Sequence, residues 1–188
     1  MPTIEKPKNV FGGAQVYGDA QVYGDAWVLG DTQVFGDAQV YGDAQVSGTA
    51  WVSGTAWVSG DAQVFGTAWV LGDAWVYGGA QVYGDAQVSG TAWVYGDAQV
   101  YGDAQVFGDT QVFGDAQVYG DAQVYGGIVC AGARVDSPQH VQTYRDREGA
   151  LWTVYRTEVG SRIVRWDQPV EPEDAPEIVR LLAVEVTR

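Results

Sequence analysis

The chain has 188 residues and a formal net charge of −14, with 24 acidic and 10 basic side chains. Such a balance argues against nucleic acid as a direct ligand, because neutralising phosphates takes Lys and Arg, and against anionic membrane surfaces. No apolar run approaches the ~18 residues of a transmembrane helix, and Met1–Lys8 lacks the apolar core of a secretory leader.

Residues 1–11 read as an N-terminal lead-in. Pro2 and Pro7 lack amide donors and Lys6 and Lys8 carry charge, all features that blunt an open sheet edge.

From residue 12 a six-residue unit takes over, Gly-Asp-Ala-Gln-Val-Tyr at Gly18–Tyr23, Gly36–Tyr41, Gly96–Tyr101 and Gly120–Tyr125. Valine holds every sixth position from Val10 to Val124, twenty times in succession, and glycine every sixth from Gly12 to Gly132. Short strict periods mark repeat architectures in which each unit packs on its neighbours. Within a unit, Ala20 and Val22 lie two apart, as do Gln21 and Tyr23, so the first pair faces a core and the second faces out. Gly18 and Asp19 make the corner, because Gly adopts backbone conformations that a Cβ resists. Each unit is thus expected to be a four-residue strand plus a two-residue corner, coiling so that corners form columns. Thr32 and Thr110 take the place of Ala inside.

The recurring pattern of Val followed four residues later by a small residue resembles the hexapeptide-repeat left-handed β-helix superfamily. That resemblance implies an all-β solenoid, a left-handed triangular parallel β-helix of 18-residue coils, over residues 12–132. The left hand comes from the resemblance alone, since ordinary crossover rules favour the right. At a rise of ~4.8 Å per coil the prism is on the order of 32 Å long.

Two outward columns flank each Val. The preceding residue is Gln thirteen times and Trp at 27, 51, 57, 69, 75 and 93; the following one is nine times Tyr and five times Phe, with Leu29, Leu71, Ser47, Ser53, Ser59 and Ser89. Steps of 18 residues place Trp57, Trp75 and Trp93 on one wall and Trp51 below Trp69 on the next. Trp tends to accompany a small partner, as in Trp51/Ser53 and Trp57/Ser59, which suggests volume compensation on a flat wall; Trp75/Tyr77 and Trp93/Tyr95 are exceptions. Residues 9–132 hold 13 Asp and no Lys, Arg or Glu, and the Asp stand at corners. Such columns have a calcium-like composition, but Asp also suits corners by bonding nearby amides. No metal or cofactor is assigned. Thr49, Thr55, Thr67 and Thr91 replace Asp, each two residues before a Trp.

The register ends at Gly127–Cys130 and slips by one residue by Gly132–Val135. Cys130, the one cysteine, falls on the Val period and reads as a small buried hydrophobe. Residues 133–188 mix 8 basic with 10 acidic residues and form a small α+β C-terminal cap. Val141–Tyr144 and Leu151–Thr157 make a hairpin around Asp146–Gly149, Ser161–Trp166 a third strand, and Glu173–Val186 an amphipathic helix with Asp174 as N-cap.

Many members of the superfamily are acyltransferases that use a His and protruding loops. Residues 12–126 contain neither, and the one histidine, His140, lies beyond the repeat, so no catalytic residue is assigned and the chain reads as a non-enzyme. The outward rings carry the functional reading. Contiguous aromatic surface with few charges has the composition of interface cores. The first reading is a structural or assembly protein, a homo-oligomer (dimer or trimer) that self-associates through Trp51, Trp57, Trp69, Trp75, Trp93, Tyr77 and Tyr95. The alternative is a wall on which a repetitive ligand such as a polysaccharide stacks. The setting expected from the lone cysteine and the N-terminus is cytoplasmic, or a particle assembled inside a cell.

Overall fold

The computed structural model describes residues 9–130, 132–145, 150–157, 160–165, 168–175, 179–180 and 183. The lead-in over residues 1–8 therefore lies outside the described residues.

The Gly at every sixth position, from Gly12 to Gly132, turns the chain with a positive φ, from 63° at Gly120 to 80° at Gly48. At this corner glycine is required twice over. A Cβ on Gly54 would stand 2.7 Å from the carbonyl oxygen of Gly72 in the next coil, besides having to adopt the left-handed conformation. A coil can therefore take the backbone of the next coil this closely only where it lacks a side chain itself.

Three such corners close a coil. Gln15 pairs with Gln33 and Val16 with Val34, a step of 18 residues, and repetition of this step builds three parallel seven-stranded sheets. The first wall runs from Gln15–Val16 to Gln123–Tyr125, the second from Gln21–Val22 to Ile128–Val129, the third from Trp27–Val28 to Arg134–Val135. Below Trp27–Val28, Val10 already bridges Val28 in parallel and the Asn9 side-chain amide donates to the Gly24 carbonyl.

Most strands are two residues long, Gln or Trp followed by Val, where four were expected. Bonding to the coil above nonetheless continues past that pair. Gln39, Tyr41 and Asp37 donate their amides to Ala56, Val58 and Gly54 at 2.9, 3.0 and 2.8 Å. Only at Gln81–Gly84 and Gln99–Gly102 does the strand reach four residues.

The inward face matches the period-two reading. From Ala26 to Val124, every Ala and Val of the repeat is buried, with Thr32 and Thr110 in Ala positions. The two threonines differ. The Thr110 hydroxyl donates to the Phe107 carbonyl and accepts the Gly126 amide at 2.7 Å, whereas that of Thr32 has no partner.

The last coil is one residue short. Gln111 pairs with Ile128 and Gln117 with Arg134, steps of 17. Gly127 stands where an Asp-Ala pair is otherwise found, and the Gln111 amide donates to its carbonyl. Its positive φ of 88° makes the shortened turn possible. In consequence Val129, not Cys130, enters the Val column and is fully buried. The expectation that Cys130 fills the core is thus corrected: it is half-buried in the outward column, its Sγ 2.9 Å from Tyr155 Oη.

Beyond the solenoid lies a four-stranded antiparallel sheet of Val141–Arg145, Leu151–Thr157, Gly160–Arg165 and Gln168–Val170. The hairpin and third strand are as expected; the turn at 146–149 lies outside the described residues. The fourth strand, Gln168–Val170, was not among the expected elements and contains Pro169. It is an edge strand, paired through Val164 and Pro169, and an edge tolerates a missing amide. Tyr155, Val141 and Val164 join the solenoid core cluster, and Thr153 Oγ1 accepts the Ile128 amide at 3.0 Å, so the sheet covers the end of the last coil.

The expected helix over Glu173–Val186 does not start at Asp174. Pro172–Asp174 is a 3-10 turn and Ala175 is extended, with φ −85° and ψ 149°, the conformation that a following Pro imposes. Of the remainder only Val179, Arg180 and Ala183 are described, all helical; the rest of that expectation lies outside the described residues. No helix among the described residues is long and apolar enough to cross a membrane.

Candidate functional site

A solenoid lifts equal sequence positions into columns, so an outward aromatic meets the aromatic one coil above at about the coil rise, ~4.8 Å. On the second wall Tyr23 and Tyr41 stack at 5.0 Å, Tyr77 and Tyr95 at 4.9 Å, and Tyr95 and Phe113 at 4.9 Å. On the third, Phe65, Tyr83, Tyr101 and Tyr119 stack in one run at 4.8, 4.9 and 5.1 Å. Tyrosine hydroxyls donate across columns, as from Tyr23 Oη to Gln39 Oε1 at 3.2 Å.

The Trp columns behave likewise. Trp57, Trp75 and Trp93 stack at 4.6 and 5.2 Å on the second wall, and Trp51 and Trp69 at 5.3 Å on the first. The seven residues expected to form an interaction wall are thus split. Trp57, Trp75, Trp93, Tyr77 and Tyr95 share the second wall in two adjacent columns, whereas Trp51 and Trp69 lie on the first.

Stacking buries much of each ring against its neighbours, which the sequence alone did not disclose. The rings that remain exposed sit mainly where a ladder starts or stops: Phe11 against Trp27, Tyr17 and Tyr23 at the first coil, Trp69 at 38%, Trp93 at 37%, and Tyr125 at 62%. Burial raises the phenol pKa of Tyr77 and Tyr83 above 10.0, and that of Tyr101 with help from the neighbouring Tyr83 and Tyr119.

Serine breaks the ring columns. Trp51 and Trp57 lean edge-on toward the ring one coil below, Phe35 and Tyr41, each with centroids 6.1 Å apart and planes 78° apart. Ser53 is buried in this arrangement, as volume compensation predicts. Ser59 differs. It opens into a cleft of about 260 Å³ lined by Tyr41, Trp57, Ser59, Trp75 and Tyr77. The sequence signal for it was a single Ser in an otherwise aromatic column, weighed earlier as packing alone.

The corners carry the charge. Thr55 and Thr67 donate to the carboxylates of Asp73 and Asp85 one coil up, and Thr49 and Thr91 to the carbonyls of Gly66 and Gly108. The threonines before Trp, unexplained by pattern, interrupt columns of like charge with a hydroxyl donor. No grouping of three or more His, Cys, Asp or Glu suited to a metal occurs among the described residues.

His140 is buried at the end of the 3-10 turn Pro138–His140. Its Nδ1 contacts Asp136 and its Nε2 lies 3.1 Å from Arg156 Nη1, which ties the end of the solenoid to the strand Leu151–Thr157. These contacts and its burial place His140 at the junction of solenoid and sheet. A second cleft of about 210 Å³ lies where Tyr125 and Gly126 meet Pro138–Thr143.

Residues 14–30, 38–54 and 80–96 match a family model described as the YdcK beta solenoid repeat. In those stretches the chain is similar to that family; the matches fall within the repeat and none lies in the C-terminal sheet. A comparison with curated proteins gives no match.

Proposed function

We propose that this β-solenoid repeat protein is a non-enzymatic structural rod that self-associates through the Trp ladders of its first and second walls. The observation that carries this reading is the pairing of ladders on adjacent walls, Trp51–Trp69 and Trp57–Trp75–Trp93, each ending in an exposed indole. Every outward wall position between residues 15 and 125 is uncharged, since all acidic residues there stand at corners. Interface cores combine aromatic enrichment with depletion of charge in this way, and the corner Asp form a charged rim. A left-handed coil, implied by the resemblance to hexapeptide-repeat helices, belongs to the same reading, as does an intracellular setting with Cys130 as a free thiol.

The test is solution mass by light scattering for the wild type and a Trp69→Gln/Trp93→Gln variant. Gln is the repeat's own commonest residue at those positions, so the fold is preserved. A wild-type dimer or trimer that the variant loses supports the reading; equal masses refute it.

A second reading, a wall on which a ligand stacks, is favoured by the cleft at Ser59. Polysaccharide binding is its broad form, checked by a glycan screen that spares or loses binding with Trp75→Gln.

A further inference from the structure

We propose that the cleft at Ser59 is a subsite for a planar cation, the guanidinium of an arginine side chain on a partner polypeptide. This rests on the second wall being an interaction surface, not on self-association.

The outward column of the second wall runs Tyr23, Tyr41, Ser59, Tyr77, Tyr95, Phe113, with one ring missing. Below and above the gap the rings are parallel to within 2° and 1°, at 5.0 and 4.9 Å between centroids. Such spacing between parallel rings is that of an offset stack, in which flat groups touch at roughly 3.5–4 Å. A coil without a ring therefore leaves room for a flat group beneath Tyr77, with Tyr41, which Trp57 meets edge-on at 6.1 Å, at the floor of the gap.

The flank of the gap is also aromatic, formed by Trp57 and Trp75, and its back is Ser59, whose hydroxyl can accept an N–H. The space of about 260 Å³ admits an arginine head group with part of its stem. The guanidinium is the flat cation of proteins and stacks on aromatic faces.

Charge selects the cation over a neutral ring. Residues 9–132 contain 13 Asp and no Lys, Arg or Glu, and Asp61 and Asp73 occupy the corners on either side of the cleft's coils. A field of one sign concentrates ligands of the other at an apolar recess. The first wall has no equivalent: there Ser53 is buried, and Leu71 and Ser89 follow it in the column.

The experiment titrates N-acetylarginine amide into the full chain and follows Trp fluorescence. The citrulline analogue is the neutral planar control and the lysine analogue the non-planar cation. The variant is Ser59→Tyr, which restores the ring of the repeat; Trp75/Tyr77 and Trp93/Tyr95 show that Trp tolerates Tyr across the Val. Saturable binding of the arginine probe, about tenfold tighter than the citrulline analogue, several-fold tighter than the lysine analogue, and lost in Ser59→Tyr at unchanged melting temperature, supports the proposal. Equal binding of the citrulline analogue, equal binding of the lysine analogue, binding that survives Ser59→Tyr, or no saturable response each overturns it. Light scattering on the same samples separates the two readings, because Trp69→Gln/Trp93→Gln changes no residue of the cleft.

Discussion

Thr55 donates its hydroxyl to the Asp73 carboxylate one coil above, placing a neutral donor where the unit otherwise carries a second acid. Asp37, Thr55 and Asp73 succeed one another in a single corner column, at a spacing of ~4.8 Å per coil. With Asp19 below Asp37, Thr55→Asp would complete a run of four neighbouring carboxylates there. The expected outcome is a lower melting temperature at low ionic strength, with the deficit shrinking as salt rises, because exposed like charges are screened. A deficit independent of salt would show that the hydroxyl bond, not the removal of repulsion, is what matters.

The two buried threonines make an internal comparison. Thr110→Ala removes a hydroxyl that donates to the Phe107 carbonyl and receives the Gly126 amide, leaving that amide only its longer bond to the Phe107 carbonyl at 3.3 Å. A loss of about 1–3 kcal/mol in denaturant unfolding is expected. Thr32→Ala removes a hydroxyl without a partner and installs the repeat's own residue, so stability should stay level or rise by about 1 kcal/mol.

Alkaline pH should attack the ladders and the C-terminal sheet. Burial raises the phenol pKa of Tyr77, Tyr83 and Tyr101. Tyr155 rises furthest, through burial first and its hydrogen bond with Cys130 second. A folded pKa above the unfolded value of 10.0 means that the folded chain holds these protons more tightly. Their contribution to stability is therefore complete below pH 10.0 and lost as pH climbs through the folded values. Phenolate absorbance should lag in the folded protein, and melting temperature should fall once pH exceeds that mark. Folded titration superimposable on unfolded would contradict this.

Much of the fold was legible because each unit repeats one local rule. Val22 and Ala20 two apart, Gly18 at the corner and the step of 18 residues between like positions gave the core, the turns and the wall of each Trp. The departures came where repetition stops. Gly127 stands in for two residues, and period counting cannot see that a turn has shortened, so it assigns Cys130 to the column that Val129 fills. Pro169 is tolerated because its strand lies at an edge, a fact of tertiary order. The site was half legible. Periodicity stacked Trp57, Trp75 and Trp93, but not the mutual burial of the rings, nor the difference between buried Ser53 and open Ser59. Trp51 and Trp57 lean alike, and the difference accompanies the residue one coil above, Leu71 over Ser53 and Tyr77 over Ser59.

The central claim, association through the Trp ladders, is tested most directly by the mass of the wild-type chain in light scattering over a wide dilution series. A dimer or trimer that persists on dilution, and becomes a monomer in Trp69→Gln/Trp93→Gln, is the predicted result. A wild-type monomer at every concentration would contradict it and leave the exposed indoles free for a ligand.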